Sequence, residues 1–165
     1  MDPLKVGAAT AAVAVGATGA GFGISSYLNT PYSLYSFLNS ADGKNLKESY
    51  KDKLGGIEKN QHLFVADTKK NEWWWKAKYQ KLKNEEDKSD EFKNATDYDS
   101  QTANNTNAIN KLCDAAYKKG SSDFTTATTT NNKTTYKKDI AKYCTDSSKE
   151  TDITWPTTSP AAASG

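Results

Sequence analysis

The sequence predicts a mainly α-helical protein: an N-terminal apolar helix, then a small helical domain with one disulfide, then a disordered C-terminal tail. Three observations support this fold class. No Lys, Asp or Glu occurs from Val6 to Ala41, apolar residues beyond that run recur at helical spacing, and alternating strand-like runs are scarce. We divide the chain into residues 1–26 (signal peptide or transmembrane anchor), 27–43 (uncharged aromatic linker), 44–145 (domain) and 146–165 (tail).

The first element is the apolar segment Val6–Ile24, whose 19 residues approach the roughly 20 that span a bilayer. Its residues are mostly small, so its hydrophobicity is marginal for a permanent span, and Thr18-Gly19-Ala20 fits a signal-peptide cleavage site. The segment therefore predicts a membrane anchor with the domain outside the cell, or a signal that is cleaved before secretion. A flexible tail of a soluble protein is the third interpretation.

The linker is aromatic as well as uncharged, with Tyr27, Tyr32, Tyr35 and Phe37 close together. Tyrosine suits the headgroup zone of a membrane because its ring is apolar and its hydroxyl is polar. Pro31 makes one continuous helix through this stretch unfavourable.

Four segments of the domain have helical spacing. We expect Gly55-Gly56 to end the first helix, Asn71 to cap the second and Gly120 to close the third. His62 to Ala66 is the one strand-like piece, with a buried loop as the alternative, and residues 121–133 predict a Thr-rich loop. The four predicted helices are 46–54, with Leu46, Tyr50 and Leu54 on one face; 72–93, with Trp75, Tyr79, Leu82 and Phe92; 107–119, with Ile109, Leu112, Cys113 and Tyr117; and 133–144, with Tyr136, Ile140, Tyr143 and Cys144.

The composition bounds both the core and the partners. Hydrophobic residues make up 36% of the chain, against about 45–50% in a typical globular protein, so the domain has a thin core and needs an additional cross-link. All 22 basic residues are Lys, and they are interspersed with acidic residues to a net charge of +2. A nucleic-acid-binding protein needs clustered basic charge, so we exclude nucleic acid as a partner.

Cys113 and Cys144 are the candidate cross-link, because each lies on the apolar face of a predicted helix. If the domain is exported, the two thiols can oxidise to a disulfide. The alternative is two separate buried thiols. A zinc site is disfavoured because His62 is the only histidine and no second cysteine lies close to either one.

Trp73, Trp74 and Trp75 are the candidate interaction surface. Successive helical residues point about 100° apart, so the three rings cannot all be buried on one face. The exposed rings would contact a membrane, a protein partner or a sugar. The alternative is one core tryptophan with two flanking ones.

The sequence contains no pattern typical of catalysis or cofactor binding. One His, no Arg and no Gly-rich loop after a strand leave no nucleophile–base pair or phosphate site to assemble. We therefore expect no enzyme, no cofactor and no metal.

The order of features is similar to a paralogous set of membrane or exported proteins of haemotropic mycoplasmas. The resemblance spans most of the chain, and it implies membrane association or export, with surface display and antigenic variation as the role. It carries over no functional residues. The segments that resemble this set are the Gly-Ala-Gly-Phe-Gly end of the apolar run, LKESYKDKL (46–54), HLFVADTKKNEWWWKAKYQKLK (62–83), AINKLCDAAYKKG (108–120) and TTYKKDIAKYCT (134–145).

Three hypotheses follow for function. The first is a surface-exposed or secreted protein that is held to the membrane by its N-terminal segment, or released from it, and contacts host surface molecules. The second is a small secreted enzyme or a ligand- or sugar-binding module with a site near the tryptophans. The third is a soluble intracellular scaffold, in which Cys113 and Cys144 would be reduced and far apart. The oligomeric state stays open.

Overall fold

The computed structural model describes residues 30–100, 105–125 and 131–157. The predicted apolar helix, residues 1–26, lies outside these ranges, as do residues 27–29 of the predicted linker and 158–165 of the tail. Within the described ranges, no helix has the length and apolarity needed to cross a membrane. The chain divides into two units, Met1–Thr30 and Pro31–Gly165, and the second contains the domain described below.

The domain is built from short helices, which confirms the mainly α-helical class for the described residues. Four 3₁₀ turns, Lys44–Leu46, Leu54–Gly56, Lys69–Asn71 and Glu150–Asp152, connect or extend the helices in this part of the chain. The described helices are α1 (Leu34–Leu38), α2 (Lys47–Tyr50), α3 (Glu58–Leu63), α4 (Glu72–Leu82), α5 (Ile109–Tyr117), α6 (Ser121–Phe124) and α7 (Asn131–Cys144).

The first predicted helix, 46–54, is wrong as one helix because it is interrupted between Tyr50 and Leu54. Asp52 has a φ of 58°, a left-handed conformation that ends a right-handed helix. Tyr50 and Leu54 are nevertheless both buried, whereas Leu46 is exposed. The apolar spacing therefore identified core residues correctly and the helix incorrectly.

The second predicted helix, 72–93, ends early, at Leu82. After Leu82 the backbone tightens, because the N–H of Glu85 donates to the carbonyl of Leu82 at 3.1 Å, three residues back rather than four. Buried Asp139 of α7 then accepts hydrogen bonds from the backbone N–H and the hydroxyl of Ser89, at 2.8 and 2.7 Å. The chain thus turns back onto α7, and Phe92 reaches the core from this turn rather than from a helix.

The third and fourth predicted helices are confirmed as α5 and α7, with shifted ends. The predicted loop 121–133 is wrong at both ends, because α6 forms at Ser121–Phe124 and α7 begins at Asn131. Gly120 has a φ of −95° and precedes α6 as its N-cap residue, so it does not close α5 in a left-handed conformation.

The predicted strand or loop His62–Ala66 is wrong for its first two residues, which end helix α3. Residues 64–66, the central segment, resolve the alternative for the rest. Phe64, Val65 and Ala66 are fully buried and extended, and they make single antiparallel bridges rather than a sheet. Val65 pairs with Ser33 on one side, and Phe64 pairs with Thr145 on the other. The segment is therefore a buried connection that joins residues from both ends of the domain.

Tyr117 fixes the central segment to the helices. Its ring stacks on Phe64 with centroids 4.3 Å apart, and its hydroxyl lies 3.1 Å from the carbonyl of Val65 and 2.8 Å from that of Cys144. One fully buried side chain of α5 thus contacts both the central segment and the end of α7.

Three buried asparagines, Asn60, Asn71 and Asn110, hold irregular segments in place by the same hydrogen-bond pattern. In each, the amide oxygen accepts from the backbone N–H of a distant residue and the amide nitrogen donates to the carbonyl of that same residue. The distant residues are Thr154 for Asn60 (2.8 and 2.7 Å), Tyr32 for Asn71 (2.8 and 2.8 Å) and Asp99 for Asn110 (3.2 and 2.9 Å).

We name this arrangement an amide clamp. The second amide hydrogen of each asparagine binds a further acceptor: Leu54 for Asn60, Ala66 for Asn71 and the Asp67 carboxylate for Asn110. The side-chain amide replaces a neighbouring strand and satisfies backbone groups that would otherwise be buried without partners. Asn71 does occupy the predicted capping position of α4, but its side chain makes this clamp instead of a cap bond.

The clamps correct the predicted linker and tail. Leu34 and Leu38 of α1 are buried, so residues 31–43 belong to the domain. Ile153 is also buried, and the ring of Trp155 lies 5.1 Å from that of Phe124. The ordered domain therefore continues through the described part of the predicted tail, to residue 157.

Candidate interaction surface

Helix α4 divides the three tryptophans between the core and the surface. Trp75 is fully buried and donates to the carbonyl of Ala66 at 3.2 Å. Trp74 is also buried, and its ring meets that of Trp75 edge-on at 4.8 Å. Trp73 is 39% exposed. The predicted surface of three tryptophans is therefore wrong for Trp74 and Trp75 and leaves Trp73 alone, as the helical geometry requires.

Three large apolar side chains of the described part are exposed: Tyr35 by 36%, Leu46 by 43% and Trp73 by 39%. Tyr35 belongs to α1, and residues close in sequence to Leu46 and Trp73 contact α1 or the residues beside it. Tyr35 lies on α1 and stacks on the His62 ring at 4.1 Å. Leu46 precedes Lys47, whose ammonium donates to the side-chain oxygen of Asn39 at 2.8 Å.

Trp73 is connected to the same region through Tyr32. Asn71, two residues before Trp73, clamps the backbone of Tyr32, and the ammonium of Lys70 lies 4.5 Å from the centre of the Tyr32 ring. The Tyr32 hydroxyl in turn donates to the carbonyl of Ser36 in α1. We name this set the aromatic face: Tyr32, Tyr35, Leu46, His62, Lys70 and Trp73.

The turn that carries Trp73 is mainly basic. Lys69 and Lys70 precede it, and Lys76 forms an ion pair with Glu72 at 2.7 Å. The hydrogen bond from Lys76 lowers the pKa of the Glu72 carboxyl, and both groups are solvent-exposed. Three lysines and one glutamate thus surround an exposed indole, a combination suited to a polar, negatively charged or zwitterionic partner.

A shallow groove adjoins the aromatic face. It has a volume of about 480 Å³ and lies between α1, α2 and α3. Its lining carries an exposed ion pair, Lys51 with Glu48 at 3.3 Å, beside the apolar surface of Tyr35 and Leu38. A second groove, of about 620 Å³, lies along α7 and is lined by charged residues of both signs, among them Glu85 and Lys142, which pair at 2.6 Å.

Cys113 and Cys144 are brought together, as predicted. Their Sγ atoms are 1.97 Å apart, which is a bonding distance, and their Cα atoms are 5.4 Å apart. Both residues are fully buried in the core where α5 packs on α7, and their positions are 31 apart in sequence. The alternative of two separate thiols is therefore excluded by this structure.

Lys78 is a buried cation at the end of α7. Its ammonium donates to the carbonyls of Lys142 and Thr145, each at 2.9 Å, and to the hydroxyl of Ser148 at 3.1 Å. It also lies 4.7 Å from the Trp74 ring. Burial, with a smaller effect of Lys81, lowers the pKa of Lys78 to about 8. Its role is to satisfy the carbonyls at the C-terminus of the cross-linked helix.

The other buried ionisable groups also have structural partners. Asp114 accepts from the Tyr50 hydroxyl at 2.5 Å and pairs with Lys118. Burial, together with the Asp114 charge, raises the pKa of Tyr50. Within the described ranges, no group of three or more His, Cys, Asp or Glu side chains is placed to hold a metal ion. His62, the sole histidine, is exposed and stacked on Tyr35.

Comparisons of the chain with protein families, with curated proteins and with solved structures gave no match. Its function is therefore argued from the geometry above.

Sequence reasoning missed the amide clamps and most of the aromatic face. Asn60 and Asn110 lie among 13 asparagines, and neither occupies a position that periodicity marks. Tyr32 and Tyr35 were recognised as an aromatic cluster, but their connection to Trp73 depends on the Asn71 clamp. That long-range contact has no local sequence signal.

Proposed function

We propose that the chain is a non-enzymatic contact protein of the cell surface. Its domain is held outside the cell by the N-terminal segment, or released after cleavage of that segment, and makes contact through the aromatic face. Display within a paralogous set, as the resemblance to proteins of haemotropic mycoplasmas implies, is part of this proposal.

The observation that carries the proposal is the buried pair Cys113 and Cys144. Disulfides persist in oxidising compartments, outside the cytoplasm. An intracellular scaffold was expected to hold these cysteines far apart, and a Cα separation of 5.4 Å is contrary to that expectation.

A second candidate, a ligand- or sugar-binding module or an enzyme at the tryptophans, has less support. Trp74 and Trp75 are buried, so a ligand would find only Trp73 exposed. The adjoining groove is open to solvent, whereas small-molecule sites are usually enclosed and bury most of their ligand.

The experiment is surface labelling of intact cells that express the full chain, with a membrane-impermeant amine reagent. The exposed residues Lys59 and Lys83 should be labelled, and buried Lys78 should stay unlabelled until the protein is denatured. Mass spectrometry of tryptic peptides reads each site separately. Label on Lys59 and Lys83 in cells or in the medium supports export. If both stay unlabelled while known surface proteins are modified, the surface proposal is wrong.

A further inference from the structure

The aromatic face lies where the chain enters the domain. Pro31 is the first residue of the domain unit, and Tyr32, which follows it, is clamped by Asn71 and covered by Lys70. The three exposed large apolar side chains of the described part are all connected to this region, as shown above. In sequence, Tyr32 follows Ile24, the last residue of the predicted apolar segment, by eight positions.

We propose that the aromatic face rests on the headgroup layer of a lipid bilayer, the one that holds the N-terminal segment. This inference depends on the proposed function, because it requires the N-terminal segment to meet a membrane. It adds that the domain itself is a lipid-contacting element, with Trp73 as its main anchor.

Chain length keeps the domain close to the membrane. Seven residues, 25–31, separate the predicted apolar segment from Tyr32, and a fully extended chain of that length spans at most about 25 Å. The headgroup region extends roughly 5–8 Å on each side of the hydrocarbon core. Contact between the face and the headgroups therefore requires no rearrangement of the domain.

The side chains of the face fit a headgroup layer. Tryptophan and tyrosine concentrate at membrane interfaces because an apolar ring carries one polar group. Lys69 and Lys70 beside Trp73 can approach lipid phosphates, and the Lys70 ammonium already lies over the Tyr32 ring.

The spacing of the apolar residues favours lipid over a protein partner. Tyr35, Leu46 and Trp73 belong to three different elements, and charged residues such as Lys47 and Glu72 adjoin them in sequence. A protein interface usually has a continuous, fully buried centre depleted of charge. A fluid layer of zwitterionic and anionic headgroups accommodates separate anchors with lysines between them.

The test uses the full chain reconstituted into vesicles of phosphatidylcholine that is brominated near the headgroup end of the acyl chains. Bromine quenches tryptophan fluorescence only at close range. The four tryptophans of the chain are residues 73, 74, 75 and 155, so none lies in the N-terminal segment. The matched variants are Trp73→Phe and Trp155→Phe, the latter removing a half-buried ring that packs on Phe124.

We expect brominated lipid to quench the wild-type chain and the Trp155→Phe variant to a similar degree. Trp73→Phe should lose most of the quenching. A second set of vesicles that contains phosphatidylglycerol separates the contribution of the lysines from that of the indole. The double variant Lys69→Gln, Lys70→Gln should reduce quenching in these anionic vesicles. It should leave quenching unchanged in vesicles of phosphatidylcholine alone.

Two outcomes overturn the inference. One is absence of quenching although the chain co-sediments with the vesicles, and the other is quenching that survives in Trp73→Phe. Because the vesicle assay uses purified protein, its failure leaves the export test untouched. Failure of cell-surface labelling likewise leaves the vesicle result readable.

Discussion

Two regions of the domain are held in place by different interactions. One is the helix pair α5 and α7, and the other is the two end segments, residues 31–38 and 145–155. The helix pair is joined by buried apolar side chains and by the Cys113–Cys144 bond. Each end segment combines buried apolar residues, Leu34 and Leu38 or Ile153, with a side-chain amide that binds its backbone, Asn71 on Tyr32 or Asn60 on Thr154. The pair should therefore respond to reduction as one unit, whereas each end should respond to a single amide.

The position of the aromatic face and the stability of the core therefore depend on different interactions. Part of the aromatic face lies on residues 31–38, so its position depends on the Asn71 clamp as well as on the burial of Leu34 and Leu38. The clamps thereby add order at the ends of a domain with a thin core.

The largest expected effect comes from removing the cross-link. A loop closed by a bond between residues 31 apart restricts the unfolded chain by about 3.5–4 kcal/mol in the chain-entropy model. We expect the double variant Cys113→Ala, Cys144→Ala to lose at least that much of its unfolding free energy, measured by urea titration. Reductant should destabilise the wild type comparably and leave the double variant unchanged. An equal response of both proteins to reductant would contradict the role of the bond.

Breaking the N-terminal clamp ranks second. Asn71→Leu keeps the side-chain size but leaves the N–H of Tyr32 without its partner and removes one hydrogen bond each from the carbonyls of Tyr32 and Ala66, at a cost of about 1–3 kcal/mol. The substitution should accelerate amide hydrogen exchange more in residues 32–38 than in α5 and α7. Asn84→Leu, at an exposed position, is the matched control and should change stability by less than about 0.5 kcal/mol. Uniform acceleration through all helices would show that the clamp is not a local restraint.

Lys78 joins the two regions, because it contacts both the end of α7 and Ser148 of the C-terminal segment. Its pKa is lowered to about 8 when folded, against 10.5 in its reference state. The unfolded chain thus binds more protons between these values, so stability should rise with pH across this window. The gain is at most about 3 kcal/mol.

Lys78→Met tests whether Lys78 causes the predicted rise of stability with pH. The variant should be less stable than the wild type by about 1–3 kcal/mol, because buried carbonyls lose their donor, and its stability should lack the rise from pH 8 to 10. Above pH 10 both proteins should lose stability, since buried Tyr50 and Tyr117 have raised pKa values and ionise first in the unfolded chain. Parallel pH profiles below pH 10 would refute the assignment to Lys78.

The smallest effect on stability is expected at Trp73. Because its indole is exposed, Trp73→Phe should change the unfolding free energy by less than about 0.5 kcal/mol. Trp75→Phe, which leaves a cavity and removes one of the hydrogen bonds to the Ala66 carbonyl, should cost about 1–3 kcal/mol. Thermal unfolding of both variants compares the two rings, and equal losses would contradict their assignment to surface and core.

The sequence was informative where apolar periodicity governs the structure. Ile109, Tyr117, Ile140 and Cys144 were all placed on buried faces of α5 and α7, and the cysteine pair followed from those faces. The same reasoning failed at Asp52, which is left-handed, and after Leu82, where the chain turns back and Ser89 binds the buried Asp139 of α7. It failed at both ends of the domain because amide clamps act between residues 39 and 94 positions apart. For the candidate surface, spacing predicted an exposed tryptophan but not which one, since that depends on how α4 packs.

Peptide mapping of the chain from intact cells tests the central claim most directly, that this is an exported domain cross-linked through its core. Free thiols are alkylated before lysis, and the protein is digested with trypsin without reduction. We expect one linked species that joins residues 112–118 to residues 143–149, each a single tryptic peptide. Recovery of both peptides unlinked and alkylated at Cys113 and Cys144 would contradict the account.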